Sequence, residues 1–128
     1  AFVEEGTSLH YYESIRASAP DEDLLDMAVN LFPVNTDPIV STDSVYRQTF
    51  RKEQLWREEG AVGVDMETSA VFSISRCLGL RAAALLMVSD IHPMHQDAPK
   101  WEWHMTREMK YALAEQGLAL ARRLQETR

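Results

Sequence analysis

Between residues 62 and 90 the chain reads VGVDMETSAVFSISRCLGLRAAALLMVSD, an apolar run, a helical pattern and a second apolar run, with acidic residues just past each run. Residues 62–64 and 82–88 carry apolar side chains without polar alternation, as in short strands buried on both faces of a parallel sheet. Ala70, Val71, Ile74, Cys77 and Leu78 recur at helical spacing between them. Asp65 stands before the first turn, and Gly79 supplies a C-terminal stop. The pattern predicts a βαβ unit with a right-handed crossover. Both strands then point the same way, so Asp65, Met66 and Glu67 after the first and Ser89 and Asp90 after the second open toward one sheet edge. In open α/β sheets that edge is where ligands bind.

The 128 residues suffice for one domain with a real core. Twenty Asp and Glu against thirteen Lys and Arg leave a formal net charge of −7, with no basic run of the kind a phosphate backbone demands, so nucleic acid is not an expected partner. The longest apolar stretch, residues 82–88, is far too short to span a bilayer, and the N-terminus has no basic region leading into an apolar run. A single cysteine, Cys77, permits no intramolecular disulfide. Its place on the apolar stripe of the central helix reads as core packing, and the chain reads as cytoplasmic. It opens on Ala1, without a methionine, directly into structured-looking sequence, which reads as a fragment.

Upstream, residues 1–5 read as the end of a strand and residues 5–8 as a turn in which Gly6 is free to take positive φ. A helix over residues 21–30 follows Pro20, its first turn rich in Asp and Glu. Residues 39–42 read as a short strand opened by Pro38, and residues 52–59 as a short polar helix stopped by Gly60. Residues 91–100 form a proline-containing loop that could act as a lid. Met105, Met109, Leu113, Gly117, Leu120 and Leu124 then recur through a long C-terminal helix.

Four stretches carry a family likeness: EEGTSLHYY (residues 4–12), STDSVY (41–46), VDMETSAVF (64–72) and VSD (88–90). In that order they resemble the nucleoside phosphorylase family, which includes uridine phosphorylase, hexameric purine nucleoside phosphorylase and the adenosylhomocysteine-type nucleosidases. The resemblance spans nearly the whole chain but only the C-terminal half or so of a family member. It implies residues 1–128 as a single domain, the C-terminal portion of an α/β sandwich of the phosphorylase/hydrolase type, with a mixed central sheet flanked by helices and the N-terminal half missing. It implies phosphorolysis of the N-glycosidic bond of a nucleoside, with inorganic phosphate as co-substrate, no cofactor, no metal and a homo-oligomeric assembly. The rivals are a hydrolytic nucleosidase of the same fold and a truncated, non-catalytic nucleoside-binding paralogue.

Residue by residue, the likeness makes Glu67 the acceptor for the ribose hydroxyls and sets Met66 under the sugar, with Asp65 in place of the family's first glutamate. The Ser89-Asp90 pair matches the purine-cleaving branches, in which the aspartate meets N7 of the base. Val45 stands where many members stack a phenylalanine, and Tyr46 follows it near the base. The family's glycine-rich phosphate site belongs to the N-terminal half, and the arginine that assists the aspartate has no counterpart after Asp90, a role for which Lys100 is a substitute.

The chemistry asks for such groups on its own account. Breaking a ribose–base bond builds positive charge on the sugar and negative charge on the departing base. A carboxyl with a raised pKa can protonate that base, and an ionised carboxylate can accept from two hydroxyls at once. Each residue also has a plainer reading: Asp90 as a turn residue, Glu67 as a first-turn glutamate serving the helix dipole, Met66 as core, Tyr46, Trp101 and Trp103 as packing, and His92, His95 and Asp97 as loop residues rather than metal ligands.

Overall fold

The structure, a computed structural model, describes residues 1–95, 97–98 and 101–126, without the side chain of Glu102. The chain is α/β and divides into two units, one of Ala1–Leu25 and Asn35–Ala84, the other of Asp26–Val34 and Leu85–Arg128.

The first unit is built on three parallel strands in the order β1 (Phe2–Glu4), β2 (Ile39–Thr42) and β3 (Gly63–Asp65). Phe2 lies opposite Val40, which lies opposite Val64, and Val3, Ser41 and Asp65 form the next row. Strand β2 is central and β-branched at Ile39, Val40 and Thr42, and it keeps the boundaries expected from Pro38. Val40 is fully buried and packs with Trp56, Ala61 and Phe2. Trp56 comes from α2 (Phe50–Glu58), which the Thr49 hydroxyl caps by accepting from Lys52 N–H at 3.3 Å. This otherwise polar helix is anchored by one large aromatic side chain. Gly60, at φ 92°, turns the chain out of it.

Helix α1 (Glu22–Leu31) begins at Asp21, whose carboxylate accepts from Leu24 N–H at 3.1 Å. Arg81 grips the same carboxylate with Nε at 3.0 Å and Nη2 at 2.9 Å, and Asp21 N–H donates to the Ala82 carbonyl at 2.8 Å. Helix α3 (Thr68–Cys77) ends in a Schellman turn: Gly79, at φ 66°, donates to the Arg76 carbonyl and Leu80 to that of Ser75.

The structure departs from expectation in α3. Its buried residues are Thr68, Ser69, Phe72 and Ser73, whereas Val71 is 47% and Leu78 61% exposed and Cys77 is exposed rather than core. The reason is polar. Glu5, just past β1 and only 6% exposed, accepts from Ser8 N–H at 3.0 Å, from the Ser8 hydroxyl and from the Ser69 hydroxyl at 2.8 Å. The Ser8 and Ser73 hydroxyls are hydrogen-bonded to each other at 2.8 Å, and Ser18 donates to the Ser69 carbonyl at 2.8 Å. A buried carboxylate must be fully satisfied. One of the hydroxyls that satisfy it, Ser69, sits on α3, and Ser73 of the same helix bonds to Ser8, so the serine face of the helix turns inward.

Gly6 also differs, with φ −82° in place of a left-handed turn, since residues Thr7–His10 close as a 3₁₀ turn. The second apolar run, residues 82–88, enters no β-ladder among the described residues, and Leu86 and Val88 are exposed. Its three alanines carry little strand preference, and the Asp21 to Ala82 bond is a single contact, not a ladder. The central sheet is accordingly parallel throughout rather than mixed, and the predicted βαβ unit lacks its second strand. In the second unit, β4 (Asp90–Ile91) and β5 (Glu102–Trp103) form a short antiparallel pair, and α4 (Arg107–Glu126) supplies the expected C-terminal helix.

Burial pushes the Glu5 carboxyl up, but the donors from Ser8 and Ser69 outweigh it and hold the group below the usual carboxylate range. Its stabilising contribution is therefore present above the unfolded value of ~4.3 and is lost as pH falls through the lower folded value. Glu5→Gln is expected to lower stability by about 1–3 kcal/mol at pH 7, with the gap to the parent chain closing below about pH 4. Thermal melts of both proteins across that range test this, and a gap independent of pH would refute it.

Candidate active site

Because β1, β2 and β3 are parallel, the residues that follow all three emerge at one edge of the sheet. Glu5 and Gly6 follow β1, Asp43 and Ser44 follow β2, and Met66 and Glu67 follow β3. Gly6 N–H donates to Asp43 at 2.8 Å, joining the first two crossings and holding the Asp43 carboxyl below its ordinary range.

Asp65, at the end of β3, spends both oxygens inside the protein. One accepts from the Ser41 hydroxyl at 2.6 Å, and the other accepts from Thr68 N–H at 3.1 Å and from the Thr68 hydroxyl. Ser41 Oγ in turn accepts from Ser69 N–H at 2.8 Å. Asp65 thus ties the central strand to the first turn of α3, where a carboxylate is favoured by the free amides and the helix dipole.

Asp65 thereby leaves Glu67 without a capping duty. Glu67 occupies the residue before α3, with φ −129° and ψ −33°, and its side chain makes no capping bond. The carboxylate is exposed and accepts from Met66 N–H at 3.2 Å through one oxygen. Met66 is 46% exposed, which excludes the core reading in this unit. Val45 and Tyr46 lie in a 3₁₀ turn (Val45–Arg47) just past β2, with Val45 half-exposed and Tyr46 99% exposed. Packing does not account for Tyr46. The first unit thus presents an open carboxylate, a thioether and a phenol after the strand ends, over a foundation of hydroxyls and carboxylates.

In the second unit, Asp90 is half-buried at the start of β4. The Ser89 hydroxyl donates to one carboxylate oxygen, and the Trp101 indole donates to the other at 2.5 Å. His104 N–H donates to the Ser89 carbonyl at 2.7 Å, closing the hairpin beneath the pair. Trp101 meets His92 edge-on with ring centroids 6.2 Å apart, and Trp103 in the same manner at 6.5 Å.

These contacts correct the expected acidity of Asp90. The Ser89 hydroxyl chiefly, then the Trp101 indole and the nearby His92 and His104, outweigh partial burial and hold the carboxyl below its ordinary range rather than above it. The topological argument that set Ser89 and Asp90 beside Glu67 also loses its premise, because residues 82–88 form no strand. Lys100, expected to substitute for an arginine, lies outside the described residues. Among the described residues no three His, Cys, Asp or Glu side chains converge where they could hold a metal ion, and no helix is long and apolar enough to cross a membrane.

Sequence reasoning missed Ser41, Glu5, Ser8, Ser69 and Ser73, although all but Ser73 stand in the segments that carry the likeness. The usable signal was a hydroxyl-rich stretch after each strand in a chain with few basic residues to neutralise its acids. It also missed Trp101 as a partner of Asp90. Eleven positions apart, the two are joined only by strand pairing.

A model of the phosphorylase superfamily matches residues 1–121. A guanosine phosphorylase of Halorubrum lacusprofundi is 33% identical over 93 residues, which cover 69% of this chain and 39% of that protein. A purine nucleoside phosphorylase, DeoD-type 2, of Vibrio cholerae is 34% identical over 79 residues, covering 58% of this chain and 34% of that protein. The chain thus spans between a third and two fifths of the length of these relatives. No solved structure gives a significant match. With the match running through β1, β2, β3 and α3 into α4, the chain belongs to the phosphorylase superfamily.

Proposed function

We propose that this chain is the sugar- and base-binding portion of a nucleoside phosphorylase that cleaves a purine nucleoside to free base and ribose 1-phosphate. The observation that carries the reading is Glu67: an exposed carboxylate just past a parallel strand, relieved of capping by Asp65 and flanked by an exposed methionine. An ionised carboxylate accepts from both hydroxyls of a cis-diol, which neither an amide nor an ammonium can do as well. The two purine-directed relatives favour a purine base, and one of them is a guanosine phosphorylase.

In this reading Met66 lies against the sugar and Tyr46 and Val45 border the base, while Glu67 anchors the ribose as positive charge builds on it. Asp90 meets the base with Ser89 behind it. Held as a carboxylate in the free protein, Asp90 takes up a proton for the base only when the entering base displaces water and negative charge develops beside it. Phosphate attacks the anomeric carbon as the bond to the base breaks, and the electron pair of that bond leaves with the base. Residues outside this chain hold the phosphate, and further subunits of a homo-oligomer complete the site.

Guanosine supplied with and without inorganic phosphate tests the reaction. Guanine and ribose 1-phosphate appearing together, only with phosphate, are the expected result. Free ribose released without phosphate would make the protein a nucleosidase, and binding without release would make it a non-catalytic nucleoside binder. Glu67→Gln is expected to raise KM and lower kcat together, for a fall of roughly 10–100-fold in kcat/KM. Asp90→Asn is expected to lower kcat by ~10²–10⁴-fold with little change in KM. Steady-state kinetics on the two variants would separate sugar binding from base activation.

A further inference from the structure

Asp90 is served by a residue the family likeness does not supply. We propose that Trp101 is a positioning residue for Asp90: its indole N–H fixes one carboxylate oxygen, and this bond must be released before that oxygen can carry a proton to a departing base. The inference deepens the reading above and rests on it for the identity of the base.

The geometry is specific. Trp101 Nε1 lies 2.5 Å from one Asp90 oxygen while the Ser89 hydroxyl occupies the other. The hairpin sets the distance, because Asp90 pairs with Trp103 and Ile91 with Glu102, so residue 101 follows in register opposite residue 92 and its indole reaches diagonally back to Asp90. His92 and Trp103 both meet the Trp101 ring edge-on, bracing its plane. The indole is a donor only and keeps no charge of its own. It can therefore stabilise the carboxylate but cannot stabilise the acid, whose protonated oxygen is a poor acceptor. An arginine would supply a fixed positive charge at such a position, whereas tryptophan supplies one neutral donor that a base can displace. At half exposure, the Trp101 ring is also within reach of a ligand.

The other groups that bear on Asp90 are the Ser89 hydroxyl and the imidazoles of His92 and His104.

The test uses the intact natural protein and three variants, Trp101→Phe, Trp103→Phe and Asp90→Asn. In ¹⁵N–¹H spectra the indole signal missing in Trp101→Phe is that of Trp101. Its proton shift should follow an inflection below about pH 4, retained in Trp103→Phe and absent in Asp90→Asn. A Trp101 signal without that low-pH inflection would overturn the contact. With guanosine and phosphate, the basic limb of the kcat profile should move upward by roughly one to two pH units in Trp101→Phe, because the acid keeps its proton longer once the donor is gone. An unmoved limb beside an intact low-pH inflection would make Trp101 merely structural and overturn its positioning role. If guanosine is not cleaved at all, the function proposed above fails, while the indole titration still decides whether Trp101 governs Asp90.

Discussion

A single buried carboxylate organises the first unit. Glu5 sits immediately beyond β1, where the sheet ends and α3 begins to cover it, and it gathers the hydroxyls of Ser8 and Ser69 with the backbone of Ser8. A desolvated carboxylate costs several kcal/mol unless its lone pairs are filled. The helix that supplies one of those donors, Ser69, is therefore held at one rotation and one height. Ser18 and Ser73 extend the same mesh, and Ser69 N–H donates to Ser41 of β2, so the start of the chain, the central strand and the helix share one polar seam.

That seam explains how a carboxylate can stay open nearby. Asp65 closes the gap between β2 and α3 by accepting from Ser41 and Thr68, and the helix then needs no cap from Glu67. Two acidic residues two positions apart thus divide the work, one bound inward and one left to solvent. The same division recurs around Asp90, where Ser89 and Trp101 take one oxygen each and turn a half-buried acid into a held carboxylate. In both places a neutral donor does the holding. A neutral donor stabilises charge locally without adding to it.

Much of this was legible along the chain. Pro38 marked the start of β2, Gly60 and Gly79 the ends of α2 and α3, and the position of Glu67 after an apolar run was enough to single it out. The buried face of α3 was not legible, because the stripe of Ala70, Val71, Ile74 and Leu78 satisfies the usual criterion for a core face and the serines do not. Hydrophobic periodicity counts apolar surface only; it takes no account of a buried acid sixty-four residues away in sequence, whose hydrogen-bond demand outweighs one or two exposed aliphatic side chains. The apolar run 82–88 misled for a related reason, since strand pattern states a willingness to pair and says nothing of a partner.

What the sequence determined alone is therefore local: where strands and helices begin and stop, that the chain is α/β, and which acids follow which apolar runs. These depend on backbone preferences and on spacing within a few residues. The tertiary structure alone decided which side of α3 faces inward, that Asp65 is occupied while Glu67 is open, and that Asp90 is held as a carboxylate by an indole across a hairpin. The reason is that a side chain's charge state and freedom depend on donors brought within about 3 Å by folding, and those donors come from positions as many as sixty-four residues away, as Ser69 does for Glu5.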